Sequence, residues 1–148
     1  MKDIYYSQGL YPLRNPLKYK GTHPLCYRSH PEFLMMRWFD TKDSIIEWTS
    51  ESVVIPYIKP TDGKVHRYFV DFSCILKNNK NELEKYLIEY KPYKQTIPPS
   101  ESSRKAPKTL LYEQQAFAIN SQKWEATRQY AAKHNMKFVI VTEKDINQ

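Results

Sequence analysis

Two strand-like runs joined by a short polar loop constrain this chain more than any other feature. From His66 to Leu76 the residues read His-Arg-Tyr-Phe-Val-Asp-Phe-Ser-Cys-Ile-Leu, and from Leu83 to Lys91 they read Leu-Glu-Lys-Tyr-Leu-Ile-Glu-Tyr-Lys. Both are rich in β-branched and aromatic side chains, which suit a pleated, half-buried surface. Lys77-Asn78-Asn79-Lys80-Asn81 lies between them and reads as a hairpin turn. A tip near Asn79 or Lys80 sets Asp71 opposite Leu87 or Glu89. Side chains alternate along a strand, so in either register Asp71, Glu89 and Lys91 share one face. A slip of one residue would separate them.

That grouping carries a specific chemistry. Two adjacent carboxylates repel, and keeping both ionised requires a compensating cation. Hard oxygen donors suit Mg²⁺ or Mn²⁺, which binds a phosphate oxygen and prepares a water for attack. The compact ammonium of Lys91 would then stabilise charge developing at phosphorus or help orient the water. On an exposed hairpin Glu89 and Lys91 would be ordinary solvated charges. Leu87, Ile88 and Pro92 instead mark the strand as half buried, where a charge needs a reason.

A third carboxylate comes from upstream. Ser29 as N-cap and Pro31 in the first turn predict a helix beginning near residue 29 and running through Phe33-Leu34-Met35-Met36-Arg37-Trp38-Phe39. Glu32, three residues after Ser29, has the spacing of a capping box, in which it reaches back to the amide of the cap. A first-turn glutamate can also point into a cleft.

Glu32 on a first helix, Asp71 after an aromatic strand and Glu89-Tyr90-Lys91 on the next strand resemble the PD-(D/E)xK pattern of restriction-endonuclease-like nucleases. Val70 stands where that pattern usually has proline. More of the chain is similar to the head completion nucleases of T-even-type tailed phages, with the TnsA transposition endonuclease a more distant likeness. The matching pieces are Tyr27-Arg28-Ser29 with Glu32, Ile46-Glu47-Trp48 with Ser50-Glu51, and Ile55-Pro56-Tyr57. They continue through Arg67-Tyr68 with Asp71, Ile88 to Pro92, Asn120 with Lys123-Trp124, and Lys137-Phe138 with Thr142-Glu143. The resemblance implies an α/β (α+β) fold, a mixed β-sheet flanked by helices in a single domain. It also implies an endonuclease, with exonuclease activity a further expectation, that processes packaged DNA before heads join tails. Phage head, portal or neck proteins are the partners it suggests, and the host cytoplasm or the virion the place.

Composition fits this reading. At 148 residues and 41% hydrophobic content the chain suffices for one domain with a true core. Cys26 and Cys74 have neither metal-ligand spacing nor a disulfide framework and read as reduced thiols. No N-terminal stretch resembles a signal sequence and no run approaches transmembrane length, so the expectation is a soluble protein with no membrane partner. His23, His30, His66 and His134 are scattered, which gives a histidine mechanism nothing to rest on. Three glycines and no glycine-rich loop argue against ATP dependence.

The formal charge of +7 is unevenly placed. Lys2, Arg14, Lys18, Lys20 and Arg28 face only Asp3 within residues 1–31, and Lys91, Lys94, Arg104, Lys105 and Lys108 face only Glu101 within 91–109. Both basic stretches border the proposed site, as a DNA-binding surface would. Residues 1–28 read as a basic arm with Tyr5, Tyr6, Tyr11, Tyr19 and Tyr27 among prolines, and 29–148 as the nuclease core. The tyrosines suit nucleic acid, or simply pack the arm onto its own domain. Arg28 is the best single phosphate contact, a surface salt bridge being its ordinary alternative. Lys94 to Pro107 reads as a loop, with Lys94, Gln95 and Thr96 placed to meet the DNA backbone.

Beyond the loop, the pattern predicts one helix over Thr109 to Ile119 and a second restarting at Asn120 or Ser121, ending near Asn135 as a left-handed cap. Phe138 to Val141 then reads as a central strand. The resulting site has Asp71 and Glu89 on the metal, Glu32 binding it or a second ion through water, the Tyr90 carbonyl completing the shell, and Lys91 supporting attack. Glu51 ranks behind these. Two other readings stay open at this level: a docking element at the phage neck with vestigial catalysis, and a TnsA-like strand cutter in a transposition complex.

Overall fold

A computed structural model of the chain describes residues 8–102 and 104–146; Lys2, Asp3, Tyr5, Tyr6 and Ser103 lie outside the described residues. In chain order the elements are β1 (Gly9–Leu10), β2 (Cys26–Tyr27), α1 (His30–Thr41), β3 (Ile45–Ser50), β4 (Val54–Ile58), β5 (Val65–Phe69), β6 (Phe72–Lys77), β7 (Leu83–Tyr90), α2 (Pro107–Lys133), β8 (Lys137–Val141) and α3 (Glu143–Ile146). A four-stranded sheet has the order β3-β6-β7-β8, antiparallel except for the parallel β7/β8 pair. Helices cover both faces, so the fold is the expected mixed α+β arrangement.

The alternation of β7 explains the two layers. Ile88 joins Met35, Met36 and Phe39 of α1 and the aromatic stack of Trp48 and Phe72. Leu87, pointing the other way, packs with Tyr57, Tyr68, Val70 and Ala131 beneath α2. The end of β7 is therefore buried on both faces, and Glu89 is only 4% exposed. The segment ahead of α1 is tied to this core through Tyr11, Tyr19 and Leu25, all buried. Asp40, fully buried on α1, accepts from the Tyr11 hydroxyl (2.9 Å) and from the Arg14 (2.8 Å) and Asn15 (2.9 Å) amides.

The β6–β7 hairpin takes the second of the two expected registers. Phe72 pairs with Ile88 and Lys77 with Leu83, which carries Asp71 to the level of Glu89. Asn78 closes the turn by accepting from the Lys80 and Glu82 amides at 2.9 and 3.0 Å. The run from His66 to Leu76 is not one strand, however. It divides at Val70-Asp71 into β5, which pairs with β4, and β6, which pairs with β3. Between Ser50↔Phe72 and Val54↔Phe69, three residues (51–53) oppose two (70–71). Glu51 takes up the excess at φ 51°, and the Glu51 amide donates to the Asp71 carbonyl while the Val70 amide donates to that of Val53. A bulge thus bends one long hairpin, and Asp71 sits at the bend.

Two other expectations are corrected. The helix after the loop is a single 27-residue element, because Asn120 and Ser121 do not interrupt it. The Ser121 hydroxyl donates to the Phe117 carbonyl one turn back, which lets a capping-type residue sit mid-helix. The helix does stop at the predicted place, with Asn135 at φ 56°. Strand β8 lies at the sheet edge rather than its centre, since nothing pairs beyond it among the described residues. Its apolar run reflects packing against α2 and α3 instead of a central position.

Candidate active site

The bend in the long hairpin and the buried end of β7 bring Asp71 and Glu89 together. Asp71 Oδ2 accepts the Tyr90 amide at 2.9 Å, and Glu89 Oε2 accepts the Asp71 amide at 3.3 Å. Each carboxylate is thus held by the backbone beside the other. Glu89 also accepts the Tyr68 hydroxyl, and Lys91 Nζ stands 3.9 Å from Glu89 Oε1. Asp71, Glu89 and Lys91 do share a surface, as the register requires.

Electrostatics show how costly this arrangement is. Burial, and then the charge of Glu89, push the Asp71 carboxyl up to about 8. Burial likewise raises Glu89, against the lowering effects of the Tyr68 hydroxyl and of Lys91. The Tyr68 phenol is driven upward by burial and by Glu89, so it stays a donor. A pair of adjacent, desolvated carboxylates is a site that gains by binding a cation. The donor set, carboxylate oxygens on rigid backbone, fits a hard divalent ion. Among the described residues no three His, Cys, Asp or Glu side chains converge into a ready-made metal cage.

Glu32 lies close enough for its charge to reach Asp71. The expected cap is only half realised: the Glu32 amide donates to Ser29 Oγ at 3.3 Å, but its carboxylate takes the Arg28 amide at 2.7 Å, one residue before the cap. Burial raises Glu32, opposed by that bond. Arg28 spans to Glu51 at 2.9 Å on the surface, the ordinary alternative foreseen for it, and Glu51 adds its negative charge to the surroundings of Glu32. Lys94 and Gln95 are exposed in a 3-10 turn over Tyr93–Gln95, while the Thr96 hydroxyl is used on the Tyr93 carbonyl at 2.6 Å. Lys94 and Gln95 line a cleft of about 580 Å³ against Lys105, Tyr112 and Asn120.

The match to known proteins follows this geometry. Residues 42–143 match the family described as TnsA-like endonuclease N terminal. The chain belongs to this endonuclease family. It is also 35% identical over 139 residues to the head completion nuclease of Enterobacteria phage T4, covering 91% of this chain and 90% of that protein. Within the family region fall Asp71, Glu89 and Lys91, whereas Glu32 and Arg28 lie ahead of it.

Two residues beside the carboxylate pair entered the sequence reading only as fragments of a resemblance. Tyr68 is a strand tyrosine whose hydroxyl meets Glu89, and Lys123 reaches in from α2, its Nζ 5.3 Å from the Tyr68 ring centre and 5.7 Å from that of Tyr57. The available signal was Lys123 lying next to Trp124 and one turn before Thr127, on the face of α2 that turns toward the core. Burial and the charge of Lys91 pull its ammonium downward, while Glu89 and Asp71 act the other way.

Proposed function

We propose that this nuclease hydrolyses DNA phosphodiester bonds with a divalent cation, Mg²⁺ or Mn²⁺, held by Asp71 and Glu89. The observation that carries the reading is the buried, backbone-braced carboxylate pair with the Lys91 ammonium at its edge. The Tyr90 carbonyl and a water-bridged Glu32 would complete the shell. When bound, such an ion polarises a phosphate oxygen and lowers the pKa of a water. Lys91, fixed at the end of β7, points its ammonium where negative charge grows on phosphorus and steers the attacking water. Tyr68 holds one Glu89 oxygen, leaving the other turned toward Lys91. Arg28, Lys94, Gln95 and Thr96 contact the DNA backbone, and the net positive charge of residues 1–28 favours the same polyanion.

The near full-length likeness to a head completion nuclease supports a role on packaged phage DNA as heads are completed and joined to tails, in the infected host cell and in contact with head, portal or neck proteins. Among the described residues no helix is long and apolar enough to cross a membrane. The test is cleavage of duplex DNA with Mg²⁺ or EDTA by wild type and Lys91→Ala. Wild type should cut only with the metal, and the variant should bind DNA normally yet cut at least about a hundredfold more slowly. Wild-type rates in the variant, or undiminished cutting in EDTA, would overturn the assignment.

A further inference from the structure

Lys123, on α2, is placed unlike a solvated surface lysine. It is half-buried, and among the described residues its ammonium makes no hydrogen bond or ion pair. It is held instead over the rings of Tyr68 and Tyr57, on the α2 side of the sheet where Leu87 and Glu89 also point. The charges of Lys91, Glu89, Lys59 and Asp71 all reach it. Lys91, after β7, and Lys59, after β4, both act on Lys123 as like charges. The carboxylates balance them only while no metal engages Asp71 and Glu89. Once a divalent ion is bound, the like charges are left to repel across a partly desolvated space, which an anion would relieve.

We propose that Lys123 is a phosphate-binding residue, receiving a non-bridging oxygen of the DNA backbone beside the carboxylate pair, with Lys91 on its other side. The inference rests on the nuclease reading of that site and assigns it a subsite for the substrate strand. Tyr57 and Tyr68 serve as its walls. Their ring faces attract the ammonium and grip the aliphatic stem, so the cation is presented in one direction without a carboxylate partner to neutralise it. Lys91 acts on the reacting phosphate, whereas Lys123 positions the strand.

The experiment compares Lys123→Met, Lys123→Arg and wild type on short duplexes, each carrying a single neutral methylphosphonate at a different backbone position. Methionine keeps the stem between the two rings and removes only the charge. Binding is measured in Ca²⁺ and, separately, without metal on a Lys91→Ala background; cleavage is measured in Mg²⁺. Lys123→Met should weaken binding about tenfold and lower the slope of log affinity against log salt by about one, with KM rising more than kcat falls. Lys123→Arg should recover most of the affinity. One methylphosphonate duplex should cost wild type the same factor and cost Lys123→Met nothing further. Equal losses on every duplex, an unchanged salt slope, or no recovery with arginine would overturn the proposal. Failure of the nuclease reading has a different mark: wild type that does not cut in Mg²⁺, while the binding comparison still decides the phosphate contact.

Discussion

Replacing Asp71 with asparagine should stabilise the metal-free protein, and do so more as the pH rises. The folded pKa of about 8 lies above the ordinary 3.8, so the folded chain keeps a proton that the unfolded chain has released. The stability contributed by this group is therefore complete below about pH 4 and drains away as the pH climbs to about 8, at roughly 1.4 kcal/mol per pH unit. Between pH 6 and pH 8 the ceiling on the loss is roughly 3 kcal/mol. Coupling to Glu89 and residual solvent contact bring this to about half, on the order of 1.5 kcal/mol. The substituted asparagine has no such titration, and its side-chain oxygen can still accept the Tyr90 amide. For a chain of this length the melting-temperature gap in favour of Asp71→Asn should widen by about 5 °C over those two pH units. Thermal unfolding in EDTA at pH 6, 7 and 8 reads it directly. A gap that stays constant or reverses would refute a strained carboxylate pair at this position.

Cation binding should displace the protons held by the same pair. Apparent Mg²⁺ affinity, followed by titration calorimetry in buffers of different ionisation enthalpy, should rise from pH 6 to pH 8 with proton release, and stripping the ion should lower the melting temperature more at pH 8. Removing Asp40 by Asp40→Ala leaves the Arg14 and Asn15 amides and the Tyr11 hydroxyl without their acceptor; a loss of about 3 kcal/mol in denaturant unfolding is expected, with residues 11–15 becoming sensitive to proteolysis. Leu87→Ala, at a fully buried position under α2, should cost about 3 kcal/mol and loosen Glu89 beside it, visible as a drop in both melting temperature and Mg²⁺ affinity. Arg28→Ala should leave stability within about 0.5 kcal/mol, because its partner Glu51 is a surface carboxylate, and should raise KM for DNA.

The central hairpin is legible because strand alternation is strict: with Lys77 to Asn81 as the turn, Asp71, Glu89 and Lys91 have to fall on one side. The cap at Ser29 and the left-handed stop at Asn135 were legible for the same reason, local stereochemistry. What escaped depends on pairing across distance. Nothing local in Tyr-Phe-Val-Asp-Phe says that the strand changes partners at Val70, because the cause is an extra residue in the opposite segment, 51–53. The continuity of α2 through Asn120-Ser121 is likewise decided by what the helix packs against, not by the helix tendency of those two residues. Tyr68 and Lys123 gain meaning only when α2 is laid over β5. The role of Asp40 is set by the preceding chain returning to it, which nothing local in the sequence announces.

The three-against-two mismatch opposite Asp71 has a mechanical side. A strand that ran straight would hand Asp71 to the same ladder as its neighbours and commit its amide and carbonyl to a cross-strand partner. Here the carbonyl is answered by Glu51 and the amide is free for the side chain of Glu89, so the acidic pair is latched to the elbow itself. The β4–β5 ribbon is the lever arm of that elbow. A load on the ribbon would turn the lever about residues 51–53 and reach the acidic pair directly.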